Sequence, residues 1–96
     1  MATYISFLKY TAQGIKNIKD APSRVEASRQ LFKSKGAEIK AFYLTLGRFD
    51  AVVIGEAPDD TTMAKLVLTV AGQGNIGTET VRAFTETELK DIVSAL

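Results

Sequence analysis

Short apolar runs recur along the chain, and the two clearest lie on either side of one turn. Residues 41–46 and 51–54 are rich in aromatic and β-branched side chains and flank Gly47-Arg48-Phe49-Asp50. Runs of this kind about a short turn predict a β-hairpin. Gly47 supplies the positive φ that such turns need. The Asp50 carboxylate is suited to accept hydrogen bonds from backbone N–H groups across the turn.

Before the hairpin, residues 3–10 (TYISFLKY) alternate as a strand. Ile5 and Phe7 project to one face, while Tyr4, Leu8 and Tyr10 project to the other. Residues 11–19 read as a loop with a short helical turn about 14–18. A long helix then begins near Asp20. Either Asp20 is the N-cap with Pro22 in the first turn, or Ser23 caps with Glu26 as its capping-box partner. Its apolar stripe is Val25, Ser28 and Phe32, with Ala21, Ala27 and Leu31 alongside; Arg24, Arg29 and Lys33 fall on the solvent side. Gly36 is the left-handed terminator.

Residues 38–46 form the second strand and residues 50–57 the third. The third is apolar on both parities, as a strand covered on both sides would be. Pro58 stops it, and Asp59 or Asp60 caps a second helix at the positive end of its dipole. Met63, Leu66, Val67 and Val70 make that helix's buried stripe, and Gly72 or Gly74 ends it. Residues 75–84 are a fourth strand. Thr85-Glu86-Thr87-Glu88 is a capping box that opens a terminal amphipathic helix carrying Leu89, Ile92, Val93 and Leu96.

This order predicts an α+β domain, the ferredoxin-like βαββαβ plait, with a C-terminal helix added. The sheet is four-stranded and antiparallel, its first and third strands central and both long helices on one face. Apolar side chains nevertheless appear on both faces of the first three strands. The expected cover for the second face is a second copy, giving a dimeric α+β barrel. Burying that face is worth on the order of 10 kcal/mol before association costs.

Composition narrows the chemistry. The 96 residues make one domain, residues 1–96, with 46% apolar and 24% charged residues. No apolar run reaches eighteen residues and no signal-peptide pattern opens the chain, so a soluble cytoplasmic protein without membrane contact is expected. There is no cysteine and no histidine. Disulfides, thiolate metal sites, thiol nucleophiles and the usual general base are thereby excluded. No metal and no cofactor is expected, and the pair Asp59-Asp60 is read as helix caps. Residues 1–48 carry nine Lys/Arg against three Asp/Glu, a balance of +6; residues 49–96 carry three against eight, a balance of −5. The basic residues are scattered and not interleaved with aromatics, so attraction between halves or subunits is favoured over nucleic-acid binding. Gly72, Gly74 and Gly77 follow a helix and lead into a strand, which is not a phosphate-binding arrangement.

The opening TYISFLKYTAQGIKNIKDAPSR, the hairpin AFYLTLGRFDAVVIGEAPDD and the run GTETVRAFTE together resemble the GYD domain family over nearly the whole chain. That resemblance implies the fold of the dimeric α+β barrels and self-association; it implies no particular activity. The family's motif usually has tyrosine before its aspartate, and Phe49 stands there. Aromatic packing is kept without the phenol hydroxyl. The Gly-x-aromatic-Asp turn also resembles the hairpin of ligand-sensing domains in the leucine-responsive regulator family. Those carry a DNA-binding helix-turn-helix that this sequence lacks.

Glu56 ends an apolar strand, where it reaches solvent or pairs with Arg82 or a lysine, or else faces a pocket with a raised pKa. Arg82 suits a cross-strand or intersubunit ion pair, or a carboxylate or phosphate ligand. Tyr4, Tyr10 and Tyr43 serve as core or interface aromatics, or line a cavity with polar tips. Tyr4, Tyr43, Glu56 and Arg82 are therefore the candidate ligand-binding residues, and Gly47, Phe49 and Asp50 the structural motif. Three function classes follow. The first is a homo-oligomeric module binding a small molecule between sheet and helices. The second is a cofactor-free enzyme acting on a small aromatic or carbonyl compound. The third is a structural self-assembly module.

Overall fold

Alternation along the strands decides which side chains meet the helices. A computed structural model describes residues 1–96 and places four strands in one antiparallel sheet. They are β1 (Ala2–Tyr10), β2 (Glu38–Leu44), β3 (Ala51–Ala57) and β4 (Ile76–Ala83), in the order β2-β3-β1-β4. This is the plait order, with the first and third strands central. Tyr4 pairs with Gly55, Ser6 with Val53 and Leu8 with Ala51, and all of these face the helices.

Two long helices, α2 (Ala21–Ser34) and α3 (Asp60–Ala71), lie on that face. The core joins Tyr4, Phe32, Ala37, Ile39, Ala57, Met63 and Leu66, with Leu66 only 1% exposed. Gly55 has no side chain to offer here, and Phe32 Cε2 and Met63 Cε approach within 3.5 and 3.7 Å of where a Cβ would stand. The missing side chain lets both helices settle on the centre of the sheet.

The segment between β1 and α2 is more ordered than its pattern suggests. It holds α1 (Ala12–Lys16), capped by the Thr11 hydroxyl, and a 3₁₀ turn at Ile18–Asp20. Gly14 lets α1 dock on the loop before β4; a Cβ there would stand 2.0 Å from the Asn75 carbonyl oxygen. The 3₁₀ turn runs straight into α2, so Asp20 has helical dihedrals and its side chain caps nothing. An N-cap side chain needs extended backbone to reach the first-turn amides. Neither the Asp20 side-chain cap nor the Ser23–Glu26 capping box therefore forms, and Ser23 Oγ donates to the Asp20 carbonyl instead. The other boundaries follow their signals. Gly36 has φ 72°, Asp59 accepts from the Thr62 amide, and Thr85 and Glu88 form the reciprocal box of α4 (Glu86–Ser94).

Two apolar surfaces remain open in the single chain. One is the sheet face opposite the helices, built from Ile5, Phe7, Val52 and Ile54, with Tyr43 and Val81 58% and 42% exposed. The other is α4, none of whose residues is buried. The chain measures 49 × 31 × 17 Å, which suits a plait with one bare face. No helix is long and apolar enough to cross a membrane.

Candidate functional site

Small residues stand among the large ones on the inner face of the sheet, and the helices do not fill the space they leave. Ser6, Thr78 and Val53 floor a cavity of about 90 Å³ between the sheet and α2 and α3. Eighteen residues line it, twelve of them hydrophobic. Phe32, Ile39, Phe42 and Leu66 give one apolar wall, and Val67 and Val70 extend it along α3. Ser6 and Thr80 hydroxyls hydrogen-bond each other at 2.8 Å across β1 and β4.

Polar lining residues gather where β1 leaves the sheet and β4 enters it: Tyr10, Gln73 and Asn75. The α2 side of the lining is Ala21, Arg24, Val25 and Ser28. These positions follow the helical spacing i, i+3, i+4 and i+7, so the half-buried Arg24 belongs to the stripe that lines the cavity and not to the solvent side. Its Nη1 donates to the Asn17 carbonyl at 2.9 Å. Its Nη2 is buried and has no hydrogen-bond partner. The charge of Arg24 points to solvent in the sequence, and its position on the helix overrides that. The spacing from Ala21 to Ser28 was the available signal.

The four candidate ligand residues do not come together and none of them lines this cavity. Tyr4 and Arg82 are partners across β1 and β4 on the helix side, with the guanidinium carbon 5.7 Å from the Tyr4 ring centre. The Tyr4 hydroxyl donates to Asp60 Oδ1 at 2.5 Å. Burial, reinforced by that carboxylate, pushes the phenol up from 10.0 to about 12. Asp60 thus holds Tyr4 while Asp59 does the capping, and its Thr62 hydrogen bonds lower the Asp59 pKa. Arg82 has neither a cross-strand carboxylate nor Glu56 as its partner. It stacks on Phe84 at 4.5 Å and pairs with Glu88 of α4 at 3.7 Å.

Tyr43 and Glu56 stand on the opposite, uncovered face. Tyr43 lies beside Val52, and Glu56 lies between Glu38 and Thr3. A one-residue bulge between Ile39 and Ala41 puts Lys40 outside the pairing, where it reaches Glu38 at 3.7 Å. Strand parity separates Glu56 from Arg82 and rules out the pair.

The hairpin motif serves the architecture. The loop from Thr45 to Asp50 turns with Gly47 at φ 131°. The Asp50 carbonyl closes the turn by accepting from the Thr45 amide at 2.9 Å, but the Asp50 side chain does not bond within the turn. Its Oδ2 accepts from the Tyr10 amide at 2.9 Å and its own amide donates to the Leu8 carbonyl at 2.8 Å. The Phe49 ring packs on Phe7 with centroids 5.0 Å apart, and the Arg48 guanidinium carbon lies 5.7 Å from the Phe49 ring centre. The loop is clamped to the end of β1, whose next residue caps α1.

Comparison with known proteins agrees with this geometry. A Thermus thermophilus protein named glutamine synthetase and cystathionine beta-lyase binding protein is 31% identical over 90 residues, covering 93% of this chain and 95% of that protein. A feast or famine regulatory protein of Mycobacterium tuberculosis, solved with L-methionine, superposes with TM-score 0.68 at 13% identity. The match covers 88% of this chain and 51% of the regulator, so the chain spans about half of its length. A 5-chloro-2-hydroxyhydroquinone dehydrochlorinase of Burkholderia phenoliruptrix superposes with TM-score 0.62 at 17% identity, over 91% of this chain and 97% of the other. At these identities the two superpositions establish the shared fold. The sequence model of the GYD domain matches residues 4–93, and the chain belongs to the GYD domain family.

Proposed function

We propose that this protein is a ligand-binding regulatory domain that works as a homodimer, taking a small molecule between sheet and helices. The observation that carries the reading is the cavity itself, mostly apolar with a few convergent polar groups, as small-molecule sites are. The bare apolar sheet face supports self-association, with Tyr43 and Glu56 contributing to the contact. Tyr4 and Arg82 act in this reading as the brace of β1, α3 and α4 at the other end of the sheet. The methionine-bound regulator of the same fold is in keeping with a sensing role.

Thermal unfolding with a panel of small metabolites tests it. A ligand at a hundred times its Kd stabilises the folded state by about 2.7 kcal/mol. Ser28→Leu fills the cavity and is expected to keep the fold while abolishing that stabilisation. A panel without effect, or stabilisation unchanged in Ser28→Leu, overturns the reading.

A second reading has its own observation. The open apolar stripe of α4, with Leu89, Ile92 and Val93 each about half exposed, suits a partner protein. The Thermus relative is named for binding two enzymes, and this chain would bind a metabolic enzyme in the same way. Pull-down with glutamine synthetase, wild type against Ile92→Asp, decides it: retained capture by the variant removes α4 from the contact. The enzyme class finds less support, since the cavity lining contains no carboxylate to act as base.

A further inference from the structure

Arg24 is the one charged residue that lines the cavity, and its guanidinium is incompletely satisfied. Its Nη1 is fixed by the Asn17 carbonyl at 2.9 Å, while Nη2 is buried and bonds to nothing. The two ion pairs of the molecule, Lys40–Glu38 and Arg82–Glu88, do not involve it. The lining contains no aspartate, glutamate or lysine, so the site carries one uncompensated positive charge. A buried donor left without a partner is costly, and a charged one more so. An occupant that supplied an anionic acceptor would remove that cost and gain a charge-assisted hydrogen bond.

The position of the charge is held from outside the cavity. Asn17 Nδ2 donates to the Gln13 carbonyl at 3.1 Å, and Gln13 Nε2 donates to Asn75 Oδ1 at 3.1 Å. The chain of bonds ties α1 and the β4 entrance to Arg24, so the guanidinium is oriented before any ligand arrives. Guanidinium matches carboxylate in shape as well as charge. Beyond it the cavity is apolar, bounded by Phe32, Ile39, Val53 and Leu66. A hydrocarbon-lined cavity of about 150 Å³ takes benzene, so 90 Å³ suits an apolar body of about four carbons.

We infer that the cavity's ligand is a short aliphatic monocarboxylate lacking an ammonium group, with its carboxylate on Arg24 and its tail against the Phe32–Leu66 wall. This rests on the reading of the cavity as a ligand site and adds the class of the ligand. The missing ammonium is the discriminating element. An amino acid would bring a cation into a lining that has no carboxylate to receive it, next to a cation already there. A dianion such as phosphate would leave net negative charge in an apolar site with a single arginine.

Calorimetric titration of the full chain with sodium pentanoate, pentanamide and L-norvaline tests the inference. The three share a carbon skeleton and differ in the carboxylate and the ammonium group. Pentanoate is expected to bind at least tenfold more tightly than either of the others. Arg24→Gln is expected to weaken pentanoate at least tenfold and to leave pentanamide unchanged. Amide binding as tight as carboxylate overturns the inference and leaves the ligand-site reading standing. Norvaline equal to pentanoate does the same. Binding of none of the three, together with no stabilisation by the metabolite panel, overturns both. The comparison of probes uses the wild-type chain, so poor folding of Arg24→Gln would not shelter the inference.

Discussion

The two faces of the sheet are made from alternate residues of the same strands, yet they are built to different plans. The helix side uses Ser6, Ala51, Gly55, Ala57, Thr78 and Thr80 at or beside its centre, and has two helices above it. The bare side uses Ile5, Phe7, Val52, Ile54 and Val81, with Phe49 folded onto Phe7, and has nothing above it. Small residues under cover leave a cavity, while large ones in the open leave an apolar surface of the sort that marks an interaction site. Packing within one chain gives no reason for a row of large apolar residues on a face with nothing above it. Their placement on the bare face fits a molecule whose second layer is another copy of itself.

Substitution on the bare face is the largest way to break that contrast. Ile54→Asp puts a charge at the middle of the proposed contact, and it is expected to shift the native mass from two chains to one. The dimer's share of stability, on the order of 10 kcal/mol before association costs, is then lost. Unchanged mass would show that the face is not the interface. The covered side responds differently. Leu66→Ala enlarges a cavity that already exists, so relaxation will not close it, and unfolding in urea is expected to show a loss of about 3 kcal/mol. That loss resides in each chain's own core, so the variant still assembles.

The Tyr4 brace sharpens the contrast at a smaller scale. With its phenol raised to about 12, the folded state holds this proton more tightly than the unfolded chain does. The resulting stability is complete below the free phenol's 10.0 and is lost as pH rises through about 12. Tyr4→Phe is expected to cost about 1 kcal/mol at neutral pH and to remove that alkaline decline. An unaltered decline in the variant would assign it to another group. Asp59 and Glu88 act in the opposite direction. Their lowered pKa values give stability that is present at neutral pH and lost on acidification through the carboxylate range.

Most of the fold was legible because each element carries local punctuation. Gly36 and the Thr85–Glu88 box act within a few residues of themselves, and the apolar stripe of α3 needs only helical period to be seen. Apolar residues on both parities of the first three strands are visible in the sequence, and the structure leaves one of those faces bare. The site was harder to read because its residues are assembled by approach and not by pattern. Gly14 matters through contact with Asn75, sixty-one positions away, and nothing near it in sequence signals that. The candidate residues Tyr4 and Glu56 were chosen for chemical type, and strand parity put them on opposite faces. Arg24 was legible in principle, since it lies on the stripe that runs from Ala21 to Phe32. At this position helical spacing outweighs residue type.

Phe49 offers the finest test of which environment the bare face meets. Its ring is partly buried against Phe7 with Arg48 beside it, and the family's usual tyrosine would add one hydroxyl at this point. If the hydroxyl meets solvent or the rim of an interface, Phe49→Tyr changes stability by less than about 0.5 kcal/mol. If the ring edge is sealed by a second chain, an unpartnered hydroxyl costs about 1–3 kcal/mol and lowers affinity between subunits. The turn lies at the end of the sheet, clamped by Asp50 to the last residues of β1, so the rim is the expected place. Near-neutral stability with unchanged dimer dissociation would then bound the interface to the middle of the sheet, around Ile5, Val52 and Ile54. A large loss in both would extend it to the hairpin tip, and the loop would join the sheet face as part of one contact.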